Sequence, residues 1–182
     1  MKKLFFLSAV FCLLAVSAFA QKGPDFSGTW TLDAGKSKLD ERARVESMTM
    51  TVAQTAKDIK VETATKRLPP PADAPQGGMG RGAGGGMFGG AEGATTYTLD
   101  GKETTIQQDT QRGPVPVKLT GKIDGGKLLL SRVTTFNGPN GELQITNKET
   151  WTLSGDGKTL SVDREMTSPR GTNTSTLVFV KK

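Results

Sequence analysis

Five side chains in the C-terminal half of the chain could together bind a small molecule. Two of them are guanidiniums, one is a carboxylate, one an amide and one an indole, and each lies two or four residues from apolar neighbours. Residues two apart in a strand project from the same side, so these groups share a face with those apolar residues. Two guanidiniums and one carboxylate leave a net positive charge that can accept an anionic head group. The predicted ligand-binding residues are Arg132, Asn147, Glu149, Trp151 and Arg164.

Two other interpretations of the same residues stay open. A β-bulge shifts the register by one residue and would turn the whole set outward. Alternatively, Glu149 pairs with Arg132 and Arg164 on a solvated face, since inward charges are uncommon without a partner. Neither alternative includes a ligand.

Residue types restrict the catalytic chemistry that the chain can perform. It has no histidine and one cysteine, Cys12, so the sequence predicts no metal site, no cofactor and no disulfide. Acid–base catalysis would need carboxylates, lysines or Tyr97, and nucleophilic catalysis would need a serine or threonine with a lysine base. No spacing singles out such a pair. We therefore assign no catalytic residue and favour a non-catalytic protein over an enzyme.

The sequence pattern around these residues is that of β-strands. Apolar and polar residues alternate with a period of two, and 24 threonines favour half-solvated strands. Residues that tolerate the positive φ angles of tight hairpins separate the alternating runs. They occur at Asp100-Gly101, Asp124-Gly125-Gly126, Asn140-Gly141 and Asp156-Gly157. The pattern predicts an all-β fold, an antiparallel up-and-down meander closed into a barrel of about eight to ten strands.

Two details of this meander are specific predictions. The run containing Tyr97 and Leu99 is expected to pair with the run containing Thr104 and Ile106, across the Asp100-Gly101 turn. Residues 33–46 are the one segment whose composition permits a helical turn or an ordered crossover loop.

The N-terminus has the pattern of a secretory signal peptide. A short basic start precedes an apolar stretch over residues 4–16, and the small-x-small motif places cleavage after Ala20. We expect residues 21–182 to form one domain, exported to the periplasm or the extracellular space, with no transmembrane segment. Within it, residues 68–93 are rich in proline and glycine and predict a flexible, disordered loop insertion.

The residues that follow carry a family resemblance. Asp25-Phe26-Ser27-Gly28-Thr29-Trp30-Thr31-Leu32 contains a glycine-x-tryptophan motif and continues into Asp33-Ala34-Gly35-Lys36-Ser37-Lys38-Leu39. This segment resembles the start of lipocalin-like (calycin-type) small exported bacterial proteins, a mostly uncharacterised group. The resemblance implies a barrel whose base the tryptophan closes, with a ligand cavity inside. It gives Gly28 and Trp30 structural roles. The chain departs from that pattern in lacking disulfide cysteines, in having more than eight predicted strands, and in its glycine tract.

Together these observations predict an exported, non-catalytic protein that binds a small apolar or amphiphilic molecule. An anionic head group on this molecule would suit the two arginines. The alternative is an envelope or extracellular protein-interaction module with a filled barrel and no small ligand. Lysines and arginines are scattered despite the net charge of +6, so no nucleic-acid partner is expected.

Overall fold

The computed structural model describes residues 23–39, 44–69, 93–110, 113–138 and 141–182. These residues form ten strands and no helix. The strands are β1 (Gly28–Leu32), β2 (Val45–Gln54), β3 (Asp58–Arg67), β4 (Gly93–Thr98), β5 (Thr104–Thr110), β6 (Gly113–Asp124), β7 (Lys127–Gly138), β8 (Gly141–Leu153), β9 (Thr159–Ser168) and β10 (Gly171–Lys181).

All ten strands belong to one antiparallel sheet in the order β4-β3-β2-β1-β10-β9-β8-β7-β6-β5. Strands β5 to β10 pair with one another in consecutive order, and so do strands β1 to β4. The pairing of β1 with β10 joins the two runs, and the sheet curls into a nearly closed barrel. The prediction of an all-β up-and-down meander is confirmed.

Glycine supplies the positive φ angles at the predicted turns. Gly125 and Gly126 have φ of 56° and 79° between β6 and β7, and Gly157 has φ of 67° between β8 and β9. In the third turn, between β7 and β8, Gly141 has φ of 105° while Asn140 lies outside the described residues. Because glycine reaches such angles without steric cost, it is suited to the turns of short hairpins.

The predicted pairing across the Asp100-Gly101 turn is wrong. Strands β4 and β5 are the two edges of the sheet, and no ladder joins them. Gly101 N–H donates instead to Gly121 O at 3.0 Å on β6, and Asp100 forms a bridge with Lys122. Gly121 permits this approach, since a Cβ there would lie 2.7 Å from Thr98 O. The chain therefore leans onto β6 at this end and leaves a seam between β4 and β5.

Other predictions concern segments that are described in part or not at all. In residues 33–39 the N–H groups of Lys36 and Ser37 both donate to Asp33 O, at 3.2 and 3.1 Å, which makes a single helix-type turn, and a bridge between Lys38 and Thr176 follows. Residues 40–43 lie outside the described part. The predicted signal peptide also lies outside it, as does the predicted loop from residue 70 to residue 92. No helix in the described ranges is long and apolar enough to cross a membrane.

One end of the barrel, here called the base, is closed by the segment that precedes β1. Phe26 and Trp30 are fully buried, and the Trp30 indole N–H donates to Phe26 O at 3.0 Å. Gln54 Oε1 accepts from Phe26 N–H at 2.9 Å, and its amide nitrogen donates to Pro24 O at 3.0 Å. Phe26 meets the Trp151 ring edge-on, with centroids 6.1 Å apart. The polar groups beneath this aromatic cluster therefore find partners within the chain.

Gly28 has a packing role at the base. Its φ is 137°, and a Cβ at this position would lie 2.6 Å from Lys181 Cε. The missing side chain lets Lys181 cross β1 and place its ammonium 5.2 Å from the centroid of the Trp30 ring. At that distance the ammonium forms a cation–π contact with the ring.

Candidate functional site

The five predicted ligand-binding residues lie close together on the inner face of β7, β8 and β9. In the sheet register Arg132 is opposite Asn147, and Glu149 is opposite Arg164. Trp151 follows Glu149 on the same face, nearer the base. The β7–β8 and β8–β9 ladders run without a bulge, so the register keeps this face turned toward the interior. These residues, with Tyr97 on β4 and Gln108 on β5, are called the polar band below.

Glu149 has both carboxylate oxygens committed to partners in the chain. Oε1 accepts from Arg164 Nε at 2.8 Å, and Oε2 accepts from the Trp151 indole N–H at 2.8 Å. The side chains of Arg164 and Glu149 are only 14% and 15% exposed. Glu149 therefore neutralises Arg164 and orients Trp151 at the same time.

Arg132 is in a different position. It is 8% exposed, donates from Nη2 to Gln108 Oε1, and interacts with the Tyr97 hydroxyl. Both of these partners are neutral, and no carboxylate within the described residues forms an ion pair with Arg132. Arginine keeps its charge in proteins, so the barrel holds a buried cation whose charge these partners do not balance.

Burial also shifts the pKa values of two groups in the band. It raises the pKa of the Tyr97 hydroxyl above 10.0, and the negative charge of Glu149 adds to the rise while Arg132 and Arg164 oppose it. Burial lowers the pKa of Arg132 below its ordinary value, and Tyr97 opposes that shift. Tyr97 is therefore a neutral phenol at physiological pH and does not serve as the counter-charge for Arg132.

A small pocket adjoins the polar band on the side of β2, β3 and β4. Its volume is about 30 Å³, and its lining includes Thr63, Thr95, Tyr97, Glu149 and Arg164. A volume of roughly 30 Å³ equals the share of one molecule in liquid water. The pocket is thus the size of a water molecule, an order of magnitude below the roughly 300–1,000 Å³ of typical ligand pockets.

The end of the barrel opposite the base, here called the rim, is lined by apolar residues that solvent reaches. Inward-facing Leu143 and Ile106 are 42% and 37% exposed. Leu143 is opposite Phe136 and Ile106 is opposite Val117, so these side chains share the inner face of β5 to β8. Within the described residues, these inward-facing side chains therefore keep apolar surface in contact with solvent at this end.

Sequence analysis did not place Tyr97 and Gln108 in the site. Tyr97 alternates in phase with the buried Thr95, which is a detectable signal, but its distance from β7 in the chain gave no reason to join it to Arg132. Gln108 lies on β5, where nearly every residue is exposed and no pattern marks one of them.

The polar band consists of hydrogen-bonding groups. No cluster of three acidic, histidine or cysteine side chains that could hold a metal ion occurs within the described ranges. The band offers a guanidinium, an amide, a phenol and an indole above an apolar base. Such a set can orient a polar head group beside an apolar body.

Comparisons with known proteins give overall similarity only. No family model matches the chain, and a search of the curated proteins finds no relative. Among solved structures, the zebrafish ileal bile acid-binding protein complexed with cholic acid has a TM-score of 0.48 and 14% identity, over 86% of this chain and 98% of that one. Secretory abundant heat soluble protein 4 from Ramazzottius varieornatus has a TM-score of 0.44 and 16% identity, over 86% and 94%. Both TM-scores lie below 0.5, and neither similarity supports a conclusion about ligand.

Proposed function

We propose that this protein is a non-catalytic binding barrel for a small amphiphilic molecule with an anionic head group. The observation that carries the proposal is Arg132, a buried guanidinium whose contacts are to the neutral Gln108 and Tyr97. A buried charge without a counter-charge is costly, so an anion that reaches Arg132 gains a strong charge-assisted hydrogen bond.

The other arginine of the band is not expected to bind this anion. Arg164 already has Glu149 as its counter-charge, and Glu149 would repel a second carboxylate near Arg164. The anion site is therefore centred on Arg132, with Asn147 opposite it as a further polar group.

The rim supports an apolar tail on the ligand. Leu143 and Ile106 present exposed apolar surface on the inner face, on the rim side of Arg132. The pocket beside the band has a volume of only about 30 Å³, well below that of a typical ligand pocket. We therefore place the head group at Arg132 and the tail along the rim, where burying it gains about 25 cal/mol per Å² of apolar surface.

The test is a titration with dodecanoate and with the uncharged dodecanol, followed by tryptophan fluorescence and calorimetry. Trp151 belongs to the band, and its fluorescence should report binding. Arg132→Met keeps most of the side-chain length and removes the charge. We expect it to weaken dodecanoate binding by about 1.5–3 kcal/mol, the range for hydrogen bonds to charged groups, and to leave dodecanol unchanged.

Arg170→Met is the matched control, because Arg170 is exposed in the turn between β9 and β10. It should bind both probes as the wild type does. Equal weakening of both probes by Arg132→Met would mean that packing was disturbed, and the anion site would then be rejected.

The filled base supports the alternative, a protein-interaction module without a small ligand. Its core is closed by Phe26, Trp30 and Trp151, and the pocket near the band holds no more than a water molecule. Failure of the wild type to bind either probe would favour this function over the first.

We also propose that the protein is exported, on the strength of residues 1–20. Processing after Ala20 would leave Gln21 as the first residue of the mature chain. N-terminal sequencing of protein recovered from the envelope or medium tests this, and an intact Met1 in those fractions would contradict it.

A further inference from the structure

We infer that Gln108 competes with the ligand for the anion site, because its amide oxygen occupies the position on Arg132 that a ligand oxygen would take. The inference rests on the proposed function and adds to it a residue that sets the affinity. It begins from the hydrogen bond that the Arg132 guanidinium donates to Gln108 Oε1.

Access to Arg132 requires something to move. With 8% exposure the Arg132 side chain is almost closed to solvent, whereas Gln108 is half-buried. Gln108 lies on β5, which has only β6 as a hydrogen-bonded neighbour because β5 forms one edge of the seam. Edge elements with few buried contacts open at low free-energy cost, so Gln108 is the partner of Arg132 that can give way.

The exchange of partners is favourable in charge. Gln108 offers a neutral amide oxygen, whereas a carboxylate oxygen also attracts the guanidinium by its charge, and this attraction is stronger in the low-dielectric interior than in water. A carboxylate oxygen would therefore displace it, while a hydroxyl of an uncharged amphiphile would gain nothing over it. Gln108 thus lowers the affinity of Arg132 for ligands in general and favours anionic over neutral ligands.

The experiment uses two substitutions at this position with opposite expected effects. Gln108→Ala removes the competitor, and dodecanoate should bind about 2- to 10-fold more tightly, the equivalent of one net hydrogen bond. Gln108→Glu places a carboxylate beside Arg132, and dodecanoate should bind at least about 10-fold more weakly.

The matched control is Gln107→Glu, which adds the same charge on the same strand. Gln107 is exposed and alternates in phase away from the inner face, so its substitution should leave the affinity within about 2-fold of wild type. An equal loss of dodecanoate affinity in Gln107→Glu and Gln108→Glu would show that the effect comes from net charge alone. That result would overturn the inference.

The outcomes separate this inference from the proposed function. If wild type binds dodecanoate and loses it on Arg132→Met, but Gln108→Ala binds no more tightly, the competitor role is wrong and the anion site stands. If neither wild type nor Gln108→Ala binds dodecanoate, both fail. Circular dichroism of each variant confirms that the β-sheet is intact.

Discussion

The base and the polar band use buried polar groups in opposite ways. At the base, the Trp30 indole and the Gln54 amide find backbone partners inside the chain, so the aromatic cluster is complete as it stands. In the band, Glu149 and Arg164 balance each other, but Arg132 has only neutral partners. The base is therefore complete within the chain, whereas the band contains a buried cation with neutral partners, and under our proposal this cation is the group that binds a ligand.

The largest expected effect is at the base. Trp30→Ala should lower the free energy of unfolding by about 3–5 kcal/mol, because a fully buried ring is lost and Phe26 O loses its donor. Leu143→Ala at the rim should cost less than about 1 kcal/mol, since Leu143 is 42% exposed. Urea denaturation measures both. Similar losses at the two positions would show that rim and base are not distinct.

Substitutions of the two arginines of the band should differ in their effect on the free energy of unfolding, although the two side chains differ little in exposure. Arg164→Met leaves the Glu149 carboxylate buried without its cation and should cost about 3 kcal/mol. Arg132→Met removes a cation that has no counter-charge, and its free energy of unfolding should stay within about 1 kcal/mol of wild type. Comparable destabilisation by the two variants in urea titrations would indicate that Glu149 supports both arginines.

A further substitution probes the contact between β4 and β6, beside the seam. Gly121→Ala would place a Cβ 2.7 Å from the backbone oxygen of Thr98, so one strand must shift, at a cost of about 1–3 kcal/mol. Gly155→Ala is the control, because nothing lies within 4 Å of its added Cβ and its φ is not positive. Thermal unfolding should separate the two variants by several degrees, and coincident curves would mean that the seam yields freely.

The smallest effect is expected in the titration of Tyr97, the only tyrosine of the chain. Burial raises its pKa in the folded state above the ordinary 10.0, so the folded state favours the neutral phenol. Stability from this group is fully present below pH 10 and is lost as the pH rises above it, because only the unfolded chain then ionises readily.

Tyrosinate absorbance measures this directly. The absorbance should stay low while the sheet is intact and rise together with unfolding. A tyrosinate signal with a midpoint near 10.0 in a folded sample would contradict the burial of Tyr97 beside Arg132.

The period-two alternation was enough to predict the fold class, and it placed Arg132, Glu149 and Arg164 on one face. It could not predict which arginine Glu149 would pair with, because both are in phase with it and only the three-dimensional register places Arg164 directly opposite. The seam was missed for a related reason. Asp100-Gly101 has the composition of a hairpin turn whether or not the flanking strands pair, and the deciding residue, Gly121, is twenty positions away.

The pairing of β1 with β10 also determines when the barrel can form. Leu32 is opposite Phe179, and Lys182 N–H donates to Thr29 O at 2.9 Å, so the first described strand needs the last one as a neighbour. During synthesis β1 can pair with β2 early, but the edge that belongs to β10 stays unpaired until β10 itself has been synthesised. Since contacts this far apart in sequence form slowly, closure of the sheet is a late event in folding, and a chain shortened before β10 leaves β1 and β9 each with an open edge.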